Sequence, residues 1–535
     1  MWSASNIPLF ALCAAALAAQ EHQSPVIARA TTRLVQVSVV ATRHGAPVEG
    51  IKQEDFTLTD NGRPQTLRLF SVETGGGLPA EPPPPPGTFT NQLQHRAEMP
   101  SSVTIILLDT LNTKFTDQAF ARNEIVKYLK SIGPDDHVGV YALGSRLRIL
   151  HDFTSPAREL LALLEGYRSG GELPGTRQPE GSKDPLALHL DTWLSGRGIS
   201  RSEWQAHTED RVHTTLQALQ SIADHLARIP GRKNLIWLSS GFPPWYGLAS
   251  QVRSGKRNFG EDIAQCIRAV SNASLAIYPV SARGLKLDPE FEDSSVSGFG
   301  KVLYAWQPHQ LPVRSLREDP MRELAEGTGG RAYIDTNDLA QAIRDAVADA
   351  RLSYTLGYYP DDNEPNQKFH AIAIRVNRPG VELRYRTGYF NLPQQPQDEK
   401  TRKAELEKMV SSPLDSTEIG IRVKLNRVPG HPDQLECLLH IDPETVSLQS
   451  QGDRWSGALD ILFMEQDADG RPFKGKNDTL RLRLSAESHR QVARTGLTYR
   501  QIVESQPGAT ELRIVVRDVA SGAMGSLSAP LRQIH

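Results

Sequence analysis

The apolar and polar positions of this chain fall into two regimes. In the first, uncharged runs end abruptly on oxygen-bearing residues. Val103-Thr104-Ile105-Ile106-Leu107-Leu108 closes on Asp109 and is followed by Thr110-Leu111-Asn112-Thr113. Leu235-Ile236-Trp237-Leu238 runs into Ser239-Ser240-Gly241, and Leu275-Ala276-Ile277-Tyr278-Pro279-Val280 repeats the pattern. Such runs, lacking alternation, predict strands buried on both faces, as in a parallel sheet. His137 to Leu143 adds a second strand, Leu147 to His151 a short edge strand and Arg331 to Ile334 a last one.

Helical periodicity lies between these strands. Phe120, Val126 and Leu129 share a face of a helix from Asp117 to Ile132, with Thr116 as cap and Gly133-Pro134 as stop. Val212, Leu216, Leu219, Ile222, Leu226 and Ile229 mark a long helix, and Ile263, Ile267 and Val270 another. Ser155-Pro156 opens a helix to Leu164, Glu323 to Glu326 is helical with Gly327 at C′, and Asp338 caps a helix to Ala350. Alternating strands and helices predict an α/β fold with a doubly wound, mostly parallel sheet. Ligands of open α/β sheets bind beyond the carboxyl ends of the strands, which is where Asp109 arrives.

In the second regime strands alternate with period two. Val35, Val37 and Val39 alternate with Gln36 and Ser38; Phe56 and Leu58 follow, and Asp60-Asn61-Gly62 supplies a hairpin turn. The β-rich stretches at Tyr354–Tyr358, Phe369–Val376 and Val381–Tyr385 are expected to extend that N-terminal unit. Past Ile419 the pattern is β-only and predicts a small sandwich. The expected division is a signal peptide over 1–19, a β unit over 31–75, a Pro-rich linker over 76–100 and an α/β domain over 101–352. A β extension over 353–392, a linker over 393–415 and a C-terminal β-sandwich over 416–535 complete it.

Composition narrows the function. With 535 residues, 23% charged and a formal net charge of -2, the chain is long enough for several domains and has no field to steer it toward nucleic acid. Ile7 to Ala19 is apolar or small, too short to span a bilayer, and Ala16-Leu17-Ala18 offers a small-x-small cleavage site. The expectation is an exported protein, periplasmic or secreted, with no membrane span after signal removal. Cys266 and Cys437 then remain, on a predicted helix and strand of different domains, and read as buried free thiols.

Residues 101–350 resemble the von Willebrand factor type A domain, in particular that of a bacterial exported, acidobacterial-type group in which a β segment precedes it. That segment is here Gly45-Ala46-Pro47-Val48-Glu49-Gly50, Asp55-Phe56-Thr57-Leu58 and Asn61-Gly62. Gly231-Arg232-Lys233-Asn234-Leu235-Ile236-Trp237, Leu356-Gly357-Tyr358-Tyr359-Pro360 and Arg386-Thr387-Gly388-Tyr389-Phe390 also resemble that group. The resemblance implies a Mg²⁺ site built from an Asp-x-Ser-x-Ser turn, a second-loop Thr and an Asp after the fourth strand. Hard cations take carboxylate and hydroxyl oxygens in octahedral order. Asp109 and Thr113 match the turn's first and last positions, Thr214 or Thr215 the second-loop hydroxyl, and Ser240 stands at the fourth-strand position. Leu111 replaces the middle Ser. The expected site is therefore degenerate, with one carboxylate, and an edge where Asp109 only caps or hydrogen-bonds the loops is the alternative.

Trp193, Trp204, Trp245 and Tyr246 fall in or beside the loops expected at that edge, where exposed aromatics would suit partner binding. The expected function is non-catalytic capture of, or adhesion to, another protein. The alternatives are a serine hydrolase using Ser239 or Ser240, with His207 or His213 upstream, and a purely structural envelope component. No Gly-x-Ser-x-Gly elbow, phosphate loop or His-Glu-x-x-His pair is present.

Overall fold

The computed structural model describes residues 34–74, 82, 84–93, 102–113, 115–130, 137–153, 201–229, 231–242, 260–282, 315–334, 336, 338–360, 369–390, 398–468, 470–473 and 475–534. The architecture is mixed α/β with several sheets. The uncharged runs become β1 (Val103–Asp109), β4 (Lys233–Ser239) and β5 (Leu275–Ser281), joined by β2 (Val138–Leu143) and β3 (Leu147–His151). Their spatial order is β5-β4-β1-β2-β3, parallel except for β3, which runs antiparallel to β2. The sheet is thus mixed. The predicted last strand survives as a single parallel bridge from Tyr333 to Val280.

Period two along each strand sends alternate side chains to opposite faces. Ile105, Leu107, Leu235, Trp237 and Ile277 pack with α2 (Arg201–Leu226), α3 (Gly260–Asn272) and α4 (Ser315–Thr328). Ile106, Leu108, Ile236, Leu238 and Tyr278 pack with α1 (Phe115–Leu129) and α5 (Leu339–Arg351). Both faces are therefore dry, which explains why these strands carry no alternation. Asp338 caps α5 by accepting from the Gln341 amide at 2.8 Å.

Around this sheet lie two β assemblies. Val35–Arg43 pairs with Leu352–Tyr358, which pairs in turn with Leu69–Thr74. Phe56–Asp60 pairs with Phe369–Val376, so the segments before and after the α/β unit share one core of Val37, Val39, Leu58, Tyr354, Leu356 and Ile374. Buried Asp60 ties this core together. Its Oδ2 accepts from the Tyr358 and Tyr389 hydroxyls, both at 2.9 Å, and its Oδ1 meets His370 Nδ1 at 3.1 Å. The tyrosines of the two aromatic blocks in the sequence thus meet on one carboxylate.

The C-terminal unit stacks the sheet of Ile421–Val428, His431–Ile441 and Leu497–Glu504 on that of Arg454–Gln466, Lys476–Ser485, Glu511–Asp518 and Met524–Pro530. Val423, Leu439, Ile461, Phe463, Ile514 and Leu527 fill the space between them. Several boundaries differ from the sequence reading. Thr88–Thr90, placed in the linker, pairs with Arg422–Lys424. Glu399–Val410 (α6), read as linker, is a helix whose Leu406, Met409 and Val410 pack on Leu462 and Val515. Its polar residues include Arg402, which turns to the sheet and bonds buried Asp460 at 2.8 Å. Ala486–Thr495 (α7) interrupts the region read as β-only, capped by Ser485. The left-handed residue after α4 is Gly329, not Gly327. The helix expected from Ser155 to Leu164, the residues 1–19 and the 393–397 part of the second linker lie outside the described residues.

The Gly231–Trp237 block connects the units. Arg232, buried, donates to the Tyr278 hydroxyl at 3.0 Å, to the Gly329 carbonyl at 2.5 Å and to Ser38 Oγ of the β unit at 3.4 Å. Tyr278 donates to Asp349 at 2.9 Å, which also takes Arg384 at 2.6 Å. Gly330 must lack a side chain, since a Cβ there would stand 1.9 Å from the Ile277 carbonyl oxygen. Asn234 donates to the Ala346 carbonyl, fixing α5 to β4. No helix among the described residues is long and apolar enough to cross a membrane. Cys266 and Cys437 are both buried free thiols.

Lys233 yields a pH prediction. Its ammonium is buried and donates to the Ile229 carbonyl at 2.7 Å; burial lowers its pKa from 10.5 to about 7, and Glu73 opposes that shift. Above the unfolded value neither state binds the proton and nothing is lost. As pH falls toward 7 the unfolded chain takes up the proton before the folded one, so stability declines. Urea midpoints should show the unaltered chain gaining, relative to Lys233→Met, on the order of a few kcal/mol between pH 7 and pH 10. Parallel pH profiles would remove Lys233 as the source.

Candidate functional site

The carboxyl ends of β1 and β4 lie side by side, since Leu108 and Leu238 are paired in parallel register. Asp109 therefore arrives beside Ser239. Its carboxylate is buried, only 2% exposed, and meets four donors. Oδ1 accepts from the Asn112 backbone N–H at 2.9 Å. Oδ2 accepts from Asn112 Nδ2 at 2.8 Å, Trp237 Nε1 at 3.1 Å and Ser239 Oγ at 2.9 Å. The donors are unevenly shared: three crowd Oδ2, while Oδ1 takes the one backbone N–H. Burial nonetheless holds the Asp109 pKa above its ordinary value, against the opposing pull of the Asn112, Ser239 and Trp237 hydrogen bonds.

The network continues outward. The Asn112 amide oxygen accepts from Arg211 Nε at 3.1 Å and Nη2 at 2.8 Å, while Nδ2 also reaches Thr215 Oγ1 at 3.0 Å. Thr113 Oγ1 accepts from the Ser240 N–H at 3.0 Å, and Ser240 Oγ donates to Asp117 at 2.8 Å. Gln118 Nε2 donates to the Thr113 carbonyl at 2.8 Å. The β1–α1 turn is in this way bonded to β4, to α2 and to the first turn of α1. A shallow cavity of about 10 Å³, lined by Asp109, Thr110, Thr113, Gln118 and Arg122, has room for about one water.

Of the residues expected to hold a cation, Asp109, Thr113 and Ser240 come together. Thr214 does not join them: its hydroxyl turns back to the Asp210 carbonyl at 2.8 Å within α2. Thr215, one residue on, faces the site. Trp204 lies on α2, and Trp193, Trp245 and Tyr246 lie outside the described residues. Sequence reasoning passed over Asn112, Trp237, Arg211 and Asp117. Asn112 stands three residues after Asp109, the spacing of a side chain that accepts from a following backbone N–H. Trp237 sits two before Ser239, so both project from the same face of β4.

The donor set can be tested against Mg²⁺. The ion needs an octahedron of oxygens. Here Asp109 is the one carboxylate of the expected set, its Oδ2 already meets three donors and its Oδ1 the Asn112 N–H, Leu111 has no side-chain oxygen, Thr113 Oγ1 accepts from a backbone N–H, and Ser240 Oγ is held by Asp117. Among the described residues no group of three or more His, Cys, Asp or Glu is arranged to hold a metal ion. The side chains as they stand do not fit the cation.

No family model and no curated protein matches this chain. Solved structures similar to it include an aerotolerance-related membrane protein from Bacteroides fragilis, at 15% identity over 46% of this chain and 98% of that one, TM-score 0.25. BatB from Bacteroides thetaiotaomicron matches at 13% identity over 46% and 97%, TM-score 0.23. A von Willebrand factor type A protein from Catenulispora acidiphila matches at 11% identity over 90% and 75%, TM-score 0.19. Scores this low leave the reading to rest on the chain's own residues.

Asn112 is the residue on which the network turns. Asn112→Ala leaves Asp109 and Arg211 each short of a buried partner and should cost about 1–3 kcal/mol. Thr214→Ala, whose hydroxyl only bonds its own helix, should stay within about 0.5 kcal/mol. Thermal unfolding of both variants measures the contrast, and equal losses would dissolve the distinction.

Proposed function

We propose that the chain is an exported, non-catalytic protein-binding or adhesion protein, periplasmic or secreted, built on a type A-like domain with a doubly wound sheet. The quoted motifs support the family reading. So does the strand order: numbered along the chain it reads 3-2-1-4-5, and the Tyr333 bridge stands where a sixth strand would follow, the order of a doubly wound sheet. The partner is another protein, and contact is made at the carboxyl edge around the β1–α1 turn.

One observation carries the non-catalytic reading. Both serines at the end of β4 donate to carboxylates, Ser239 to Asp109 and Ser240 to Asp117, and both are buried. A nucleophilic serine needs a base that takes its proton, commonly His. His213 instead faces Asp262 across 4.0 Å on the α2–α3 side. The edge is cross-linked, with its oxygens turned inward. Such a surface suits presentation of rim side chains, because little order has to be gained on binding. Partner contact then falls to the half-buried and exposed rim, Thr110, Leu111, Ser145 and Arg146, rather than to the carboxylate.

A photo-crosslinking residue placed at Leu111 or Ser145 should yield a protein adduct in a bacterial envelope extract. The same residue at Lys424, on the C-terminal unit, should yield none. Adducts from Lys424 alone would move the contact to the sandwich and end this reading. A serine-reactive fluorophosphonate should leave the chain unlabelled.

A further inference from the structure

The carboxyl edge contains a positive group in the wrong chemical form for the family it resembles. Where a cation would neutralise Asp109, the Asn112 side chain stands between two opposite charges. Its NH₂ donates to Asp109 Oδ2 at 2.8 Å, and its carbonyl accepts both Nε and Nη2 of Arg211 at 3.1 and 2.8 Å. An amide is the neutral group able to serve both at once, because it donates at one end and accepts at the other. Arg211 holds its charge at all relevant pH values and grips the carbonyl with two donors of its planar fork. Trp237 and Ser239 occupy the remaining directions of Oδ2.

We propose that the Arg211–Asn112 clamp replaces the divalent cation at this edge, so that the β1–α1 turn, β4 and α2 are locked together without any metal. This rests on reading the edge as a partner-binding surface and adds that its binding state is independent of divalent cations. Guanidinium, amide and carboxylate form a chain in which the positive charge polarises the amide toward Asp109. An ion taking Oδ2 would have to displace the Trp237 indole N–H, the Asn112 amide and the Ser239 hydroxyl together, and one taking Oδ1 would meet the Asn112 backbone N–H and no second carboxylate of the expected set.

Mn²⁺ alone provides the test, with the full-length chain. Isothermal titration into the unaltered protein should show no binding at millimolar Mn²⁺, and its melting temperature should be the same in Mn²⁺ and in EDTA. Asn112→Asp replaces the amide by an isosteric carboxylate that cannot donate, and places two negative groups against each other at hydrogen-bonding distance. That variant should melt lower in EDTA and recover in Mn²⁺, with at least a tenfold gain in Mn²⁺ affinity over the unaltered chain. Mn²⁺ binding by the unaltered chain at micromolar concentration would overturn the proposal, as would an Asn112→Asp variant that stays indifferent to the ion. Neither measurement uses a partner. Failed crosslinking at Leu111 and Ser145 alongside the expected Mn²⁺ pattern would therefore count against the binding surface and leave the clamp standing.

Discussion

A buried carboxylate must be fully hydrogen-bonded or it costs several kcal/mol, and Asp109 is buried at the point where two central strands leave the sheet. Its four donors come from the turn that follows it and from the neighbouring strand, so satisfying one side chain fixes the relation of both. The consequences spread from there. Asn112 is held, so Arg211 is held and with it one turn of α2; Ser239 is held, so Ser240 is placed to take Thr113 and Asp117. The loops at this edge are ordered by what they owe to one carboxylate more than by contact among themselves.

The block Gly231–Trp237 shows how one strand serves several neighbours at once. Successive residues point alternately to the two faces, and each polar member meets a different element. Arg232 reaches the β unit through Ser38 and α4 through Gly329; Lys233 holds the end of α2 through Ile229; Asn234 takes α5; and Trp237 takes β1. On the opposite side α2 meets the C-terminal unit. Thr417 donates its backbone N–H to the Asp224 carbonyl at 3.0 Å, and Arg228 pairs with Asp442 at 3.0 Å. Asp224 and Glu418 also raise each other's cost there: burial, then Glu418's charge, pushes the Asp224 pKa well up.

What the sequence made legible follows from these packings. The three uncharged runs announced strands covered on both faces, because a charge at any of those positions would have been stranded in one of two dry cores. The alternating Val35, Val37 and Val39 announced a one-sided strand for the same reason. Helix α6 was missed because it buries a short apolar stripe, Leu406, Met409 and Val410, beside charges that find partners on a sheet, and α7 because it has no buried residue to mark a face. At the site, the strand ending pointed to Asp109, and the resemblance to the type A motif pointed to Thr113 and Ser240. They did not locate Arg211, which lies about one hundred residues from Asn112 along the chain and reaches it only because α2 packs over the end of β1. Nothing local in a helix marks one arginine as inward-facing. Thr214 and Thr215 were indistinguishable for a related reason: a single residue of helical phase decides which hydroxyl faces Asn112.

A polar network in this position calls for a reason, since packed apolar side chains of similar volume are often as stable. Trp237 supplies one. Its indole is buried among apolar neighbours and meets Phe242 edge-on at 5.9 Å, yet its N–H must be satisfied. Leucine at this position would remove that demand and, with it, a side-chain bond between β4 and β1 that adds to their backbone ladder. The polar atoms thus add geometry that apolar packing does not specify: one orientation for the indole, one rotamer for Asn112 and one depth for Arg211. For the proposed partner-binding role, that specification matters more than extra stability. An apolar edge would close equally well in several arrangements, and the carboxylate with four donors closes in one.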